Sequence, residues 1–209
     1  MSSRARTRPY LIKRADQFAA IESAVRQEII DTIQAAGPRS APELSALMGR
    51  PADALYYHLK RLLRVGLLII RETRRTGRRV EAVYDLAGHP LVLDYPVQAE
   101  GREHPLSRLV HSMLRTADRD FQAAVGTKPA RPDGDRRNLW AGRRHAWLSP
   151  RDLERVNDLV DQLVAIMTRA RNPTGGELCT MTLVLAPRAS RAGRRRPTAV
   201  VSRAPRSSR

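Results

Sequence analysis

Cysteine is almost absent from these 209 residues. The single thiol, Cys179, has no partner for an intramolecular disulfide and excludes any centre built from several thiolates. No apolar run approaches the roughly 20 residues needed to span a bilayer; the longest, Val65 to Ile70, has Gly66 inside it. Nor does a signal-peptide core develop behind the basic N-terminus, because Lys13 follows directly on Tyr10-Leu11-Ile12. A phosphate-cradling glycine loop, a nucleophile elbow and a carboxylate pair at workable spacing are all missing. These absences point to a soluble, cytoplasmic chain that is not an enzyme and carries no cofactor. Lysine is scarce as well: Lys13, Lys60 and Lys128 are the only three among 38 basic residues. The arginine excess reflects a GC-rich coding sequence more than a mechanism.

What is present is positive charge, a formal +17. An excess of this size makes nucleic acid or an anionic membrane the first partners to consider. Residues 1–14 hold five basic and no acidic side chains, and residues 187–209 hold eight and none, so the rest carries 25 basic against 21 acidic. Both ends are expected to be disordered, an N-terminal arm and an arginine-rich tail. Charge is also sorted within the chain. Residues 15–49 sum to −3 and residues 50–79 to +7. That asymmetry says more about a binding face than the net charge does.

Periodicity supplies the elements. Phe18, Ile21, Val25, Ile29 and Ile33 recur every three or four residues and predict one amphipathic helix to Ala36, stopped by Gly37-Pro38. Ser40-Ala41-Pro42-Glu43 fits a capping box opening a short second helix, and Gly49-Arg50-Pro51 breaks it. A third helix runs from about Ala52, with Leu55, Leu59 and Leu62 inward, to Gly66. Leu67–Glu72 and Val80–Leu86 then predict a β-hairpin around Arg74, Arg75, Gly77, Arg78 and Arg79. Three helices and a basic hairpin make a winged helix-turn-helix domain over residues 15–88.

Residues 89–105, rich in proline and glycine, are expected as a connector, with one further short strand at Leu91–Leu93. A second, mostly helical α+β unit is expected over 106–186. Leu106, Leu109, Met113, Ala117, Phe121 and Ala124 mark its first helix. Ser149, Pro150 and Asp152 open the second, where Leu153, Val156, Val160, Leu163, Met167 and Ala170 form a heptad seam. This seam fits either packing within the subunit or a dimer interface. Leu178–Leu185 predicts a strand with Cys179, Met181 and Leu183 on its apolar face, and Trp140 and Trp147 read as core residues or, with Met113 and Phe121, as an apolar pocket lining. The fold class is therefore mainly α with a small β-hairpin wing.

With Leu55, Leu59 and Leu62 inward, the third helix leaves Asp53, Tyr56, Tyr57, Lys60, Arg61 and Arg64 for a major groove, next to Arg50. Arg74, Arg75, Arg78 and Arg79 suit phosphates or the minor groove, since four like charges at one turn repel without an anionic partner. Tyr57 and His58 are equally readable as residues packed between helices, and Asp53 as a favourable charge at the helix start. Two metal readings are weak. His104, His111 and Asp118 are in register on one face but form a sparse set, and an Asp133-Gly134-Asp135 calcium loop has Arg137 and Arg144 at ligand positions.

The run Val25-Arg26-Gln27-Glu28-Ile29, then Ala41-Pro42-Glu43-Leu44-Ser45-Ala46-Leu47-Met48-Gly49, then Tyr57-His58-Leu59-Lys60-Arg61-Leu62 and Gly66-Leu67-Leu68, resembles bacterial ArsR-type winged-helix regulators. The hairpin end Val83-Tyr84-Asp85-Leu86 continues the likeness, which covers residues 15–88. It implies a homodimer that binds a near-palindromic operator in double-stranded DNA and controls transcription, often under an unknown small-molecule effector. Metal-sensing members carry clustered cysteines or His/Asp/Glu sets, which this chain lacks. The Trp147-Leu148-Ser149-Pro150 helix start resembles a C-terminal unit found on some longer members. Leu153, Val156, Val160, Leu163 and Met167 would then be dimerisation residues. The rival expectation is an architectural protein that binds nucleic acid non-specifically through its arginine tails and associates with the nucleoid.

Overall fold

A computed structural model describes residues 8–77, 79–94, 104–170 and 176–188. The chain is mainly α: a winged helix followed by a helical C-terminal region. In order come β1 (Tyr10–Ile12), α1 (Ala15–Ile21), α2 (Ala24–Ala36), β2 (Arg39–Ser40), α3 (Ala41–Met48), α4 (Ala52–Arg64), β3 (Leu68–Thr76), β4 (Arg79–Leu86), β5 (Leu91–Leu93), α5 (Pro105–Ala124) and α6 (Pro150–Arg169).

The predicted first helix is two. Its apolar stripe is continuous, yet the backbone turns extended at Ser23 (φ −84°, ψ 124°) and restarts. A helix end leaves carbonyls without partners, and here side chains from the next helix supply them. Arg26 donates to the carbonyls of Ala19 and Ala20, and Gln27 Nε2 to that of Ile21 at 2.7 Å. The break lets Phe18 and Ile21 pack from a different direction than Ile29 and Ile33.

The Ser40–Glu43 capping box forms as expected, with Ser40 N–H donating to Glu43 Oε2 at 2.6 Å. Gly49 sits in the left-handed region (φ 62°), and Arg50 N–H returns to the Ser45 carbonyl at 3.2 Å. This is the tight turn that sets α4 across α3. Leu55, Leu59 and Leu62 are buried as the spacing requires, in one core cluster with Ile29, Ile33, Leu44 and Leu67. Each contributes about 2 kcal/mol of burial.

The wing is longer than its turn residues suggested. β3 and β4 pair antiparallel from Leu68↔Leu86 out to Thr76↔Arg79, with Arg71 unpaired at a bulge between Ile70 and Glu72. β2 adds a third strand through Arg39↔Tyr84, too short for sequence periodicity to reveal.

Residues 10–14, expected as part of a disordered arm, are built into the fold. β1 pairs parallel with β5, Leu11 opposite Val92. The closeness of the two segments needs Gly88, since a Cβ there would lie 2.5 Å from the Arg8 carbonyl oxygen. Buried Gln17 locks the strand down: its Nε2 donates to the Val65 carbonyl (3.1 Å) and to Tyr10 (3.0 Å), and its Oε1 accepts from the N–H groups of Lys13 and Arg14. The expected short strand at 91–93 is therefore present and has an N-terminal partner that local sequence could not indicate.

α5, expected to open a separate unit, packs on the first. Leu109 joins the buried core, with Leu106 and Met113 against it, and Arg108 pairs with Glu22 of the α1–α2 junction at 3.0 Å. α6 has no buried residue. Its N-cap forms as predicted, Ser149 Oγ accepting from the Asp152 N–H. The predicted strand 178–185 is not paired among the described residues; Leu178, Met181, Leu183 and Leu185 are exposed, and so is Cys179, expected to be buried. Trp140 and Trp147, expected in a core or pocket, are 64% and 102% exposed. Trp140 lies under the Arg137 guanidinium at 3.7 Å. Among the described residues nothing buries this apolar surface.

Candidate nucleic-acid interface

α4 carries the candidate surface because the inward leucines fix its rotation. Asp53, Tyr56, Tyr57, Lys60 and Arg64 are all exposed, and Arg61 is half-buried. Tyr57, readable from sequence as a packed residue, is 69% exposed. His58 takes the packed role instead. It is half-buried, the edge of one ring meets the other at 5.3 Å, and its Nδ1 is buried without a hydrogen-bond partner among the described residues. Burial, with Arg26 and Arg50 nearby, lowers the His58 pKa, which keeps the ring neutral near pH 7. Lys60, Arg61 and Arg64 make no ion pair with a described residue, although α4 has Asp53 in its first turn. Their charge is uncommitted.

The other expected arginines divide. The Arg50 guanidinium clasps Glu28 Oε2 of α2 at 2.8 and 3.1 Å, a strut behind the α3–α4 turn. Arg74 Nε pairs with Glu72 at 2.6 Å and its Nη1 lies 3.5 Å from Glu43. Glu72 holds its pKa above the usual value. Arg74 therefore has carboxylate partners within the subunit, contrary to the expectation of four mutually repelling charges. Arg75, opposite Val80 in the wing, is exposed without such a partner among the described residues. Arg78 lies outside the described residues; Arg79 begins β4.

Sequence reasoning missed Arg26. It sits in a stretch of net negative charge, and reading α1 and α2 as one helix hid its reach. The structure puts it beside α4, where it shares a surface cavity of about 330 Å³ with Ala19, Tyr57, Lys60, Arg61 and Arg64. At the other end of the domain, His104 accepts from the Leu106 N–H as the α5 N-cap. Among the described residues no three His, Cys, Asp or Glu side chains gather as a metal cluster.

A buried leucine face under an exposed tyrosine and cation face, joined through a glycine turn to α3, is the geometry of a helix made to be presented. A family model described as a helix-turn-helix domain matches residues 21–71. Residues 21–71 are a helix-turn-helix domain. The match spans α2, α3, α4 and the first half of β3, so it contains both the turn at Gly49 and the whole presented face. No curated protein matches the chain. Among the described residues no helix is long and apolar enough to cross a membrane.

Proposed function

We propose that this protein is a homodimeric, sequence-specific transcriptional regulator of the ArsR type that reads a near-palindromic operator in double-stranded DNA. The observation that carries the reading is the α4 face: Tyr56, Tyr57, Lys60 and Arg64 are exposed, and the two cations have no carboxylate partner among the described residues. Tyrosine hydroxyls and rings contact base edges and thymine methyls, while the cations take phosphates. Arg75 extends the contact to the backbone or minor groove from the wing. Arg50 and Arg74 act indirectly, by holding the turn and the wing.

The dimer rests on α6. Leu153, Val156, Val160, Leu163 and Met167 form the heptad seam, and Leu159, Val164 and Ile166 widen it; six of these eight are exposed, and Val156 and Val160 are half-buried. A surface this apolar on a 20-residue helix is an association surface. Pairing two subunits through it sets two α4 helices about one DNA turn, ~34–36 Å, apart.

The test is selection of genomic fragments by the intact protein and by a form lacking residues 1–7 and 189–209, which keeps β1. Enrichment of one inverted-repeat site by both forms, lost in Tyr57→Ala, supports the reading. Diffuse enrichment that vanishes with the ends overturns it in favour of the architectural alternative.

A further inference from the structure

The cavity beside α4 has walls of one sign. Arg26 comes from the first turn of α2, Lys60, Arg61 and Arg64 from the last turns of α4, and Tyr57 adds a hydroxyl donor; Ala19 of α1 closes one side. Among the described residues no carboxylate lines it. Tyr57 and Glu22 both act on Arg26 electrostatically, and Glu22 is bonded by Arg108 at 3.0 Å. Burial, with the Arg61 charge, lowers the Arg26 pKa against the opposing influence of Tyr57 and Glu22. Arg26 is also fixed in place, since its guanidinium donates to the Ala19 and Ala20 carbonyls. A fixed guanidinium, an ammonium, two further guanidiniums and a phenol around one open cavity are the donor set of a phosphate group.

We propose that this cavity seats a single phosphate group of the bound duplex, with Arg26 as the anchored member of the clamp. The inference rests on the DNA-binding reading above and deepens it. The cavity lies on the flank of α4, next to the face bearing Tyr56 and Lys60, where the backbone rimming a groove would run. A phosphate seated there fixes how α4 is rotated and shifted in the groove, which contacts from flexible tails cannot do. It also relieves the repulsion among the four cations. Arg26 thereby joins the end of α1 to DNA recognition, so the break between α1 and α2 becomes part of the interface.

The experiment uses the full chain and a duplex it selects, with single methylphosphonate substitutions walked along the backbone to neutralise one phosphate at a time. One substitution is expected to weaken the intact protein about tenfold at physiological salt, and the slope of log affinity against log salt to fall by about one. In Arg26→Gln the same substitution should cost nothing further. Arg26 also caps α1, so Arg64→Gln, whose side chain has no ion pair within the described residues, is run alongside and should show the same loss of sensitivity. If the intact protein binds the duplex but both variants keep full sensitivity at every position, the clamp is overturned while the DNA reading stands. If the intact protein binds no duplex, both fall. A free phosphate is the other source of the same chemistry. Inorganic phosphate bound below about millimolar, followed by the phosphorus resonance and lost in both variants, with methylphosphonates without effect, overturns the assignment to the DNA backbone.

Discussion

His89 Nε2 lies 2.8 Å from Asp85 Oδ1, and both side chains are buried. Asp85 Oδ2 accepts from Arg71 at 2.7 Å, and Oδ1 also accepts from the Leu86 N–H at 2.8 Å. On the far side of the ring, His89 Nδ1 is 3.2 Å from the Gln34 amide oxygen. Exchanging the oxygen and nitrogen of that amide lets Gln34 Nε2, otherwise a buried donor without a partner, donate to Nδ1 of a neutral ring protonated on Nε2. The chain Gln34–His89–Asp85–Arg71 thus runs from α2 to the bulge at the base of the wing.

Burial works to raise the Asp85 pKa, but the bonds from His89 and Arg71 outweigh it and hold the carboxyl below its usual range. A depressed carboxylate contributes stability that is present above its unfolded pKa and lost as pH falls through the folded value. Asp85→Ala strands the His89 N–H in the interior and is expected to cost about 2–4 kcal/mol at pH 7. The loss should begin to shrink below about pH 4, where the carboxyl of the unfolded chain takes up its proton, and shrink further as pH falls through the lower folded value. Thermal melts of parent and variant at pH 7 and 3.5 measure both; an equal difference at the two pH values sinks the account.

Arg50 was expected on the DNA and is found on Glu28. Both side chains are about a third exposed or less, and among the described residues removing the guanidinium leaves Glu28 with Arg119 at 3.7 Å as its one cation. Arg50→Ala should therefore lower stability by about 1 kcal/mol, with little coupling left in a Glu28→Ala background. A double-mutant cycle by urea unfolding reads the pair. Undiminished stability together with a full unit lost from the salt slope would return Arg50 to the interface.

Loss of hydration raises the Asp31 pKa to about 6, helped by the charges of Asp120 and Glu28. Here the sign is reversed. The folded chain holds this proton more tightly than the unfolded chain, so ionised Asp31 costs stability at neutral pH, and the cost disappears as pH falls from above 6 to below 3.8. The residue is exposed to solvent, and screening limits the effect to under about 1 kcal/mol. Asp31→Asn should raise the melting temperature at pH 7.5 by a degree or two and leave it unchanged at pH 3.5. A fall at pH 7.5 would mean that the carboxylate makes a favourable contact.

Leu163 is 44% exposed at the centre of the α6 seam. A charge placed there faces its own copy in a two-fold pair. Leu163→Asp is expected to convert a dimer into a monomer in sedimentation velocity, while the melting transition of the helix-turn-helix domain persists. A dimer that survives the substitution places the interface elsewhere.

Much of the helix-turn-helix domain was legible because its signals are local. Leu55, Leu59 and Leu62 lie one helical turn apart, Ser40 and Glu43 cap within four residues, and Gly49 and Gly66 mark the breaks. The candidate site was legible only in part. Tyr56, Tyr57, Lys60 and Arg64 follow from knowing which side of α4 is buried, whereas the commitments of Arg50 to Glu28 and of Arg74 to Glu43 join residues 22 and 31 positions apart. Arg26 escaped for a related reason. An apolar stripe with period 3.6 continues across Glu22–Ser23, and only the backbone shows that the helix stops there.

By itself the sequence determined helices α3 to α6, the hairpin, the concentration of positive charge on residues 50–79, and the capping of α6, because each depends on neighbours within a turn or two of chain. Tertiary structure decided which cations are free and which are paired, the pairing of Tyr10–Ile12 with Leu91–Leu93, the docking of α5 on the first domain, and the exposure of Trp140, Trp147 and the α6 seam. Burial and ion pairing are properties of what lies across a contact. An apolar or charged side chain records only that it needs a partner, and the fold determines whether one is there.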